Sequence, residues 1–172
     1  GDEHEKTARA LFALAPVTAS TDVKAAEALL TQALEIRRRV LPGNDPELAM
    51  NLGALAEHHK QRGELERSRE LYRQALAVFR DPSERHHPRA INLMNDYAAL
   101  LGTLKAPAEA EALQREAIAI GQQVLGPGTL TVANLTNNLA VTLTSLGRHA
   151  DAERAFREAF EQHLALLGEN HW

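Results

Sequence analysis

The chain has 172 residues, 44% hydrophobic and 24% charged, which suits one ordinary folded domain and excludes a disordered class. A net charge of −4, with both signs mixed along the chain, argues against nucleic acid as a primary partner, because phosphate binding needs a basic face. No apolar run reaches the roughly 18–20 residues of a membrane span, and cysteine is absent, which removes disulfides and thiolate zinc sites and fits a cytoplasmic chain.

Aromatic residues make up only 4%, so the core must be built from Ala and Leu, which are strong helix formers. The expected class is all-α. Taken in chain order, apolar residues at spacings of three and four predict helices near 3–15, 22–40, 46–62, 65–80, 88–104, 107–124, 130–146 and 149–166. The stretch from Pro16 to Thr21 reads as a loop. Pro46, Pro88 and Pro107 suit first-turn positions, where a missing N–H costs nothing. Asp45 and Thr129 stand where N-caps belong. Gly63 and Gly147 suit the left-handed turn that ends a helix, with Lys105 at the corresponding place between them.

These elements repeat. Pro46 and Pro88 are 42 residues apart, and the same step aligns Ala56, Ala98 and Ala140, then Ala75, Ala117 and Ala159, then Leu76, Ile118 and Phe160. One period earlier, Ala26, Ala33 and Leu34 fit the second half of a unit. The expected organisation is a single repeat domain over 1–172 with units of about 3–45, 46–87, 88–129 and 130–171, the first the loosest. The start lacks an initiator Met, and Trp172 begins what reads as another unit, so the chain is expected to be part of a longer protein.

Ala140, Gly147, Ala152, Phe156 and Ala159 fill the signature places of the tetratricopeptide repeat. Ala56, Gly63, Ser68, Tyr72 and Ala75 do so two units earlier, while Ala98, Ala110, Gln114 and Ala117 match less well at Gln114. The standard repeat has 34 residues; the 42-residue period here, with Thr-Asn-Asn-Leu-Ala at 136–140, resembles the repeats of kinesin light chains. The resemblance implies a right-handed superhelical solenoid of antiparallel helix pairs. First helices would line a concave groove that takes extended peptides or helices.

The same resemblance places two stripes on each first helix. The buried one would hold Leu52, Leu55, Ala56 and His59, then Met94, Tyr97, Ala98 and Leu101, then Thr136, Leu139, Ala140 and Leu143. The groove stripe would hold Met50, Gly53, Ala54, Glu57 and Gln61, then Asn92, Asn95, Asp96, Ala99 and Thr103, then Asn134, Asn137, Asn138, Val141 and Ser145. Five asparagines sit mid-helix on that stripe, where Asn is a poor residue because its amide competes with the backbone. Each amide offers two donors and an acceptor. Either they pair with the main chain of a bound peptide, as in the similar kinesin light-chain repeats, or they bond between adjacent helices and hold the array together. Lys60 lies near the stripe, but Glu57 and Asp96 would repel a terminal carboxylate, which argues against the chaperone-tail binding of some tetratricopeptide repeats.

His58-His59 and His86-His87 are adjacent pairs; neighbours on a helix point about 100° apart, which disfavours chelation of one ion by His58 and His59, and His87 and His171 both hold the last position of a unit, so repetition explains them better than ligation. They read as packing or loop residues, with no metal and no cofactor implied. Arg37-Arg38-Arg39 reads as a solvated helix end. No catalytic constellation or phosphate loop stands out. The expected function is therefore a non-enzymatic protein-interaction module with a protein or peptide ligand at Glu57, Lys60, Asn92, Asn95, Asp96, Asn134, Asn137 and Asn138. The alternative is a self-assembling or regulatory array within a larger signalling protein, associating through exposed repeat ends.

Overall fold

The computed structural model describes residues 2–79 and 86–168. Eight helices run through the described residues: α1 (Asp2–Ala19), α2 (Val23–Val40), α3 (Pro46–Gln61), α4 (Leu65–Val78), α5 (Pro88–Thr103), α6 (Pro107–Val124), α7 (Leu130–Ser145) and α8 (His149–Leu167). They pair consecutively as four hairpins, with α2 also against α3 and α6 also against α7. The chain divides into two compact units, Gly1–Arg80 and Asp81–Trp172.

The helix starts follow local chemistry at the repeat's own spacing. Asp45 caps α3, its Oδ1 accepting from the Glu47 N–H at 2.8 Å. One period on, His87 caps α5 through Nδ1, 3.1 Å from the Arg89 N. Thr129 stands at the N-cap of α7 without capping it; its hydroxyl donates instead to the Gly126 carbonyl at 3.2 Å. The turns inside the hairpins repeat as well. Gly63, Lys105 and Gly147 take φ of 76°, 57° and 73°. The next residue's N–H then reaches back five positions, as in Glu64 to His59 and Arg148 to Leu143. Lys105 holds this left-handed conformation at a cost of about 1 kcal/mol that glycine avoids.

The first hairpin departs from expectation. Residues 16–19 are helical, with Pro16 inside α1. A proline removes one donor, but this one sits in the last turns, where side-chain hydroxyls take up the terminal carbonyls. Ser20 donates to Val17 O at 2.7 Å and Thr21 to Thr18 O at 3.1 Å. The extra helix brings the end of α1 and the start of α2, at Ala19 and Val23, one period before Gln61 and Leu65. The helix is nonetheless turned by a residue: Ala15 is buried and Leu14 exposed, although Leu14 is the counterpart of buried Ala56, Ala98 and Ala140.

Each unit's core is the Ala–Leu packing that the composition requires. Ala26, Ala33, Ala75, Ala117 and Ala159 are buried on second helices, and the expected stripes of α3, α5 and α7 are all buried. Helices approach closely at Gly121, where an added Cβ would lie 3.3 Å from Val132 Cγ2. Gln114, the weak match to the repeat pattern, is buried with its Oε1 lacking a hydrogen-bond partner. Its counterparts Leu30 and Tyr72 are buried too.

Candidate peptide-binding surface

The surface is clearest in the second unit. Burial of Met94, Tyr97, Ala98 and Leu101 on α5, and of Thr136, Leu139, Ala140 and Leu143 on α7, turns the opposite stripes outward. Asn92, Asp96, Ala99 and Thr103 are exposed on α5, and Asn134, Asn137, Val141 and Ser145 on α7; Asn95 and Asn138 are half-buried.

The five amides fall into three roles. Asn138 Nδ2 donates to Asn95 Oδ1 at 2.8 Å, a bond between α7 and α5, and Asn95 Nδ2 turns to Asp96 Oδ1 at 3.4 Å. Asn134 Oδ1 lies 3.0 Å from Nε2 of His163 on α8. Asn92 and Asn137 are exposed and make no hydrogen bond through their amides among the described residues. The structure thus joins Asn95 and Asn138 across helices and leaves Asn92 and Asn137 to solvent.

In the first unit the stripe is more closed. Gly53, expected on the groove face, is buried. Glu57 is half-buried and accepts from Lys60 Nζ at 2.9 Å, from Gln61 Nε2 at 3.3 Å and from the Tyr72 hydroxyl at 3.3 Å. The Lys60 ammonium is therefore already matched by a carboxylate.

Two polar clusters join α2 to α3. Arg37, expected at a solvated helix end, is 0% exposed. Its Nη2 meets Glu47 Oε2 at 2.8 Å, and its Nη1 donates to Glu47 O at 3.2 Å and Asn51 Oδ1 at 3.3 Å. Its Nε lies 3.5 Å from Glu5 Oε1, and the guanidinium stands 5.0 Å from the centre of the Phe12 ring. Asn51 Nδ2 in turn donates to Leu30 O at 2.9 Å. Only Arg38 and Arg39 of the run are exposed. Sequence reading missed this network; its one signal was Asn51, at a repeat position otherwise held by Leu93 and Leu135.

The second cluster gathers Glu27, His58, His59, Arg62 and Glu64. Arg62 bonds Glu27 at 2.5 Å and Glu64 at 2.7 Å, and His59 Nδ1 lies 2.6 Å from Glu64 Oε2. The hydrogen bond from His59, with Arg62 close by, holds the Glu64 carboxyl below its usual range. Both histidines are buried packing residues, and no group of three or more His, Asp or Glu among the described residues could hold a metal ion. In the second unit Glu111 plays the part of Glu27, accepting from Arg148 Nη1 at 2.7 and 2.9 Å. Burial works against its charged form, but Arg115 and Arg148 hold the carboxyl below its usual range.

On the back of each unit an open cleft separates successive second helices. One of 560 Å³ has a floor of Ile118, Leu139, Leu143 and Ala155 and a rim that includes Arg115 and Arg148; the other, of 500 Å³, has Leu48, Leu52 and Val78.

A family model described as tetratricopeptide repeat matches residues 18–81, 47–123 and 89–165. The chain belongs to the tetratricopeptide repeat family. Its repeats are similar in structure to BtubC (BKLC) from P. vanneervenii, with a TM-score of 0.77 at 21% identity over 86% of this chain. They are also similar to nearly identical TPR-like repeats described as kinesin light chain from Podosopora anserina, with a TM-score of 0.75 at 19% identity over 92% of this chain and 76% of that one. MamA matches with a TM-score of 0.67 at 13% identity, over 93% of this chain and 80% of that one. At these identities the likeness is one of fold. The tetratricopeptide chain spans 59% of BtubC, less than two thirds of its length. No curated protein matches it significantly. No described helix is long and apolar enough to cross a membrane.

Proposed function

We propose that this chain is a non-enzymatic protein-interaction module whose second unit holds an extended peptide along the outward stripes of α5 and α7. Tetratricopeptide repeats are generally protein-interaction modules, and the observation that carries the finer reading is the pair of outward amides on Asn92 and Asn137. Mid-helix asparagine is unfavourable, and among the described residues these two have no side-chain bond to offset it. A ligand's main chain supplies the missing donors and acceptors. Asn134 and Asp96 flank the pair, while Asn95 and Asn138 brace α5 against α7. Val141, 56% exposed, and exposed Ala99 provide an apolar seat for a ligand side chain. Glu57 and Lys60 stand on the first unit's own stripe, at the repeat positions of Ala99 and Gly102, where they pair with each other.

A peptide selected from a displayed random library on the unaltered chain supplies the probe. Replacing both Asn92 and Asn137 by Ala is expected to weaken its binding about tenfold or more, at one to two lost hydrogen bonds, with helicity unchanged in circular dichroism. Unchanged affinity in that double variant sinks the reading.

A second reading, self-association, is favoured by one feature of α8. Phe156 is 40% exposed, whereas Leu30, Tyr72 and Gln114 at the same repeat position are 5%, 1% and 3% exposed. On this reading a second copy covers Phe156, sedimentation velocity shows a concentration-dependent dimer, and Phe156→Glu abolishes it. A monomer at high concentration counts against the idea.

A further inference from the structure

We propose that the packing of the first hairpin on the second is acid-sensitive, with the buried His58, packed edge to face on His59, as the sensing group. The two rings stand edge to face, 5.9 Å apart at 84°, where α3 lies against α2. Each presents its Nε2 to the carboxylate of Glu27 at 3.8 Å, His58 to Oε2 and His59 to Oε1. The charged groups facing His58 are Glu27 from α2, His59 from α3, Arg62 at its C-cap and Glu64 from the turn into α4.

The two rings differ in what they can do with a proton. His59 already has a partner at hydrogen-bond distance in Glu64. His58 has none: its Nε2 is buried without a hydrogen bond, and 3.8 Å is too long for one. With both rings neutral, two carboxylates face the single guanidinium of Arg62. Protonating His58 puts a charge on a buried nitrogen that has no hydrogen-bond partner, beside the Arg62 guanidinium, while Arg62, Glu27 and Glu64 themselves keep 33%, 34% and 39% of their side-chain exposure. Burial holds the His58 pKa below the ordinary 6.5, with His59 and Arg62 adding to the effect and Glu27 opposing it.

The direction of the stability change follows. A histidine whose folded pKa lies below its unfolded value contributes in full above the unfolded value, and that contribution is lost as pH falls through the folded one. The loss falls on the contact between α2 and α3. It reaches the turn of α3 that carries Glu57 and Lys60. The second unit supplies an internal reference: the counterparts of His58 and His59 there are Thr142 and Leu143, and Glu111 meets only arginines.

The test is hydrogen exchange on the whole chain near pH 7.5 and about pH 5.5, corrected for intrinsic rates. Protection in α2 and α3 is expected to fall several-fold at the lower pH relative to α6 and α7. His58→Gln should remove that difference, and Glu27→Gln should widen it by taking away the offsetting carboxylate. A ring-resonance titration of His58 in the unaltered chain gives a reading that no variant's folding can confuse, with its midpoint expected below 6.5. Equal relative protection at both pH values, or a midpoint at or above 6.5, overturns the proposal.

Discussion

Arg37→Ala is expected to destabilise the first unit by about 3 kcal/mol, seen as a lower urea midpoint at unchanged slope. The guanidinium is wholly buried, yet it bonds Glu47 twice and Asn51 once. Truncation leaves Asn51 Oδ1 without its donor and Glu47 without its cation, and it removes the stack over Phe12. The figure is set at the low end for a broken buried pair because the Glu5 and Glu47 side chains keep 29% and 33% of their exposure and can recover water. Arg37→Lys should recover only part of the loss, since an ammonium cannot reach three acceptors in the fork geometry of arginine. A change under about 1 kcal/mol in Arg37→Ala would mean that the network contributes no more than an exposed ion pair.

Ala140→Leu is the counterpart in the second unit. Ala140 is fully enclosed, as are Ala98 and Ala56 one and two periods before it. Three further carbons there must displace a neighbouring helix, at about 2–3 kcal/mol. Ala99→Leu, on the exposed stripe of α5, is expected to stay within about 0.5 kcal/mol. Thermal unfolding of the two variants side by side separates crowding from any general effect of leucine. Similar midpoints would show that the alanine ladder is not a point of close approach.

The fold was legible because two periods coincide in this sequence. A 3.6-residue turn assigns faces and a 42-residue repeat checks each assignment against its neighbours. The buried stripes of α3, α5 and α7, which the resemblance to tetratricopeptide repeats implies, are buried residue by residue. The α1 helix was not legible in this way, because hydroxyls rather than repeat residues close its end beyond Pro16, and its burial is turned by one position. The candidate surface was legible as a face but not as a set of bonds. Asn95 and Asn138 are 43 residues apart, so a 42-residue grid does not pair them; neighbouring helices are offset by a residue where they touch. Arg37 was hidden for another reason. Exposure of a run is judged from its composition, whereas the acceptors that bury Arg37 lie 10 and 14 residues away on another helix.

The repeat position occupied by Arg37 has a consequence for how the hairpins can be ordered. Arg37 meets Glu47 and Asn51 of the following helix, while its counterpart Gly121 leaves room for Val132 and Leu135. An arginine in place of Gly121 would meet Val132 and Leu135, with Thr131 and Leu135 where Arg37 has the carboxylate of Glu47 and the amide of Asn51, and a glycine in place of Arg37 would leave Asn51 without the donor it has now. Similar as their backbones are, the hairpins are not interchangeable parts. The first hairpin meets the second through polar groups and the third meets the fourth through aliphatic ones, so a chain in which these partners were exchanged while folding would meet a mismatched neighbour and be returned to search again.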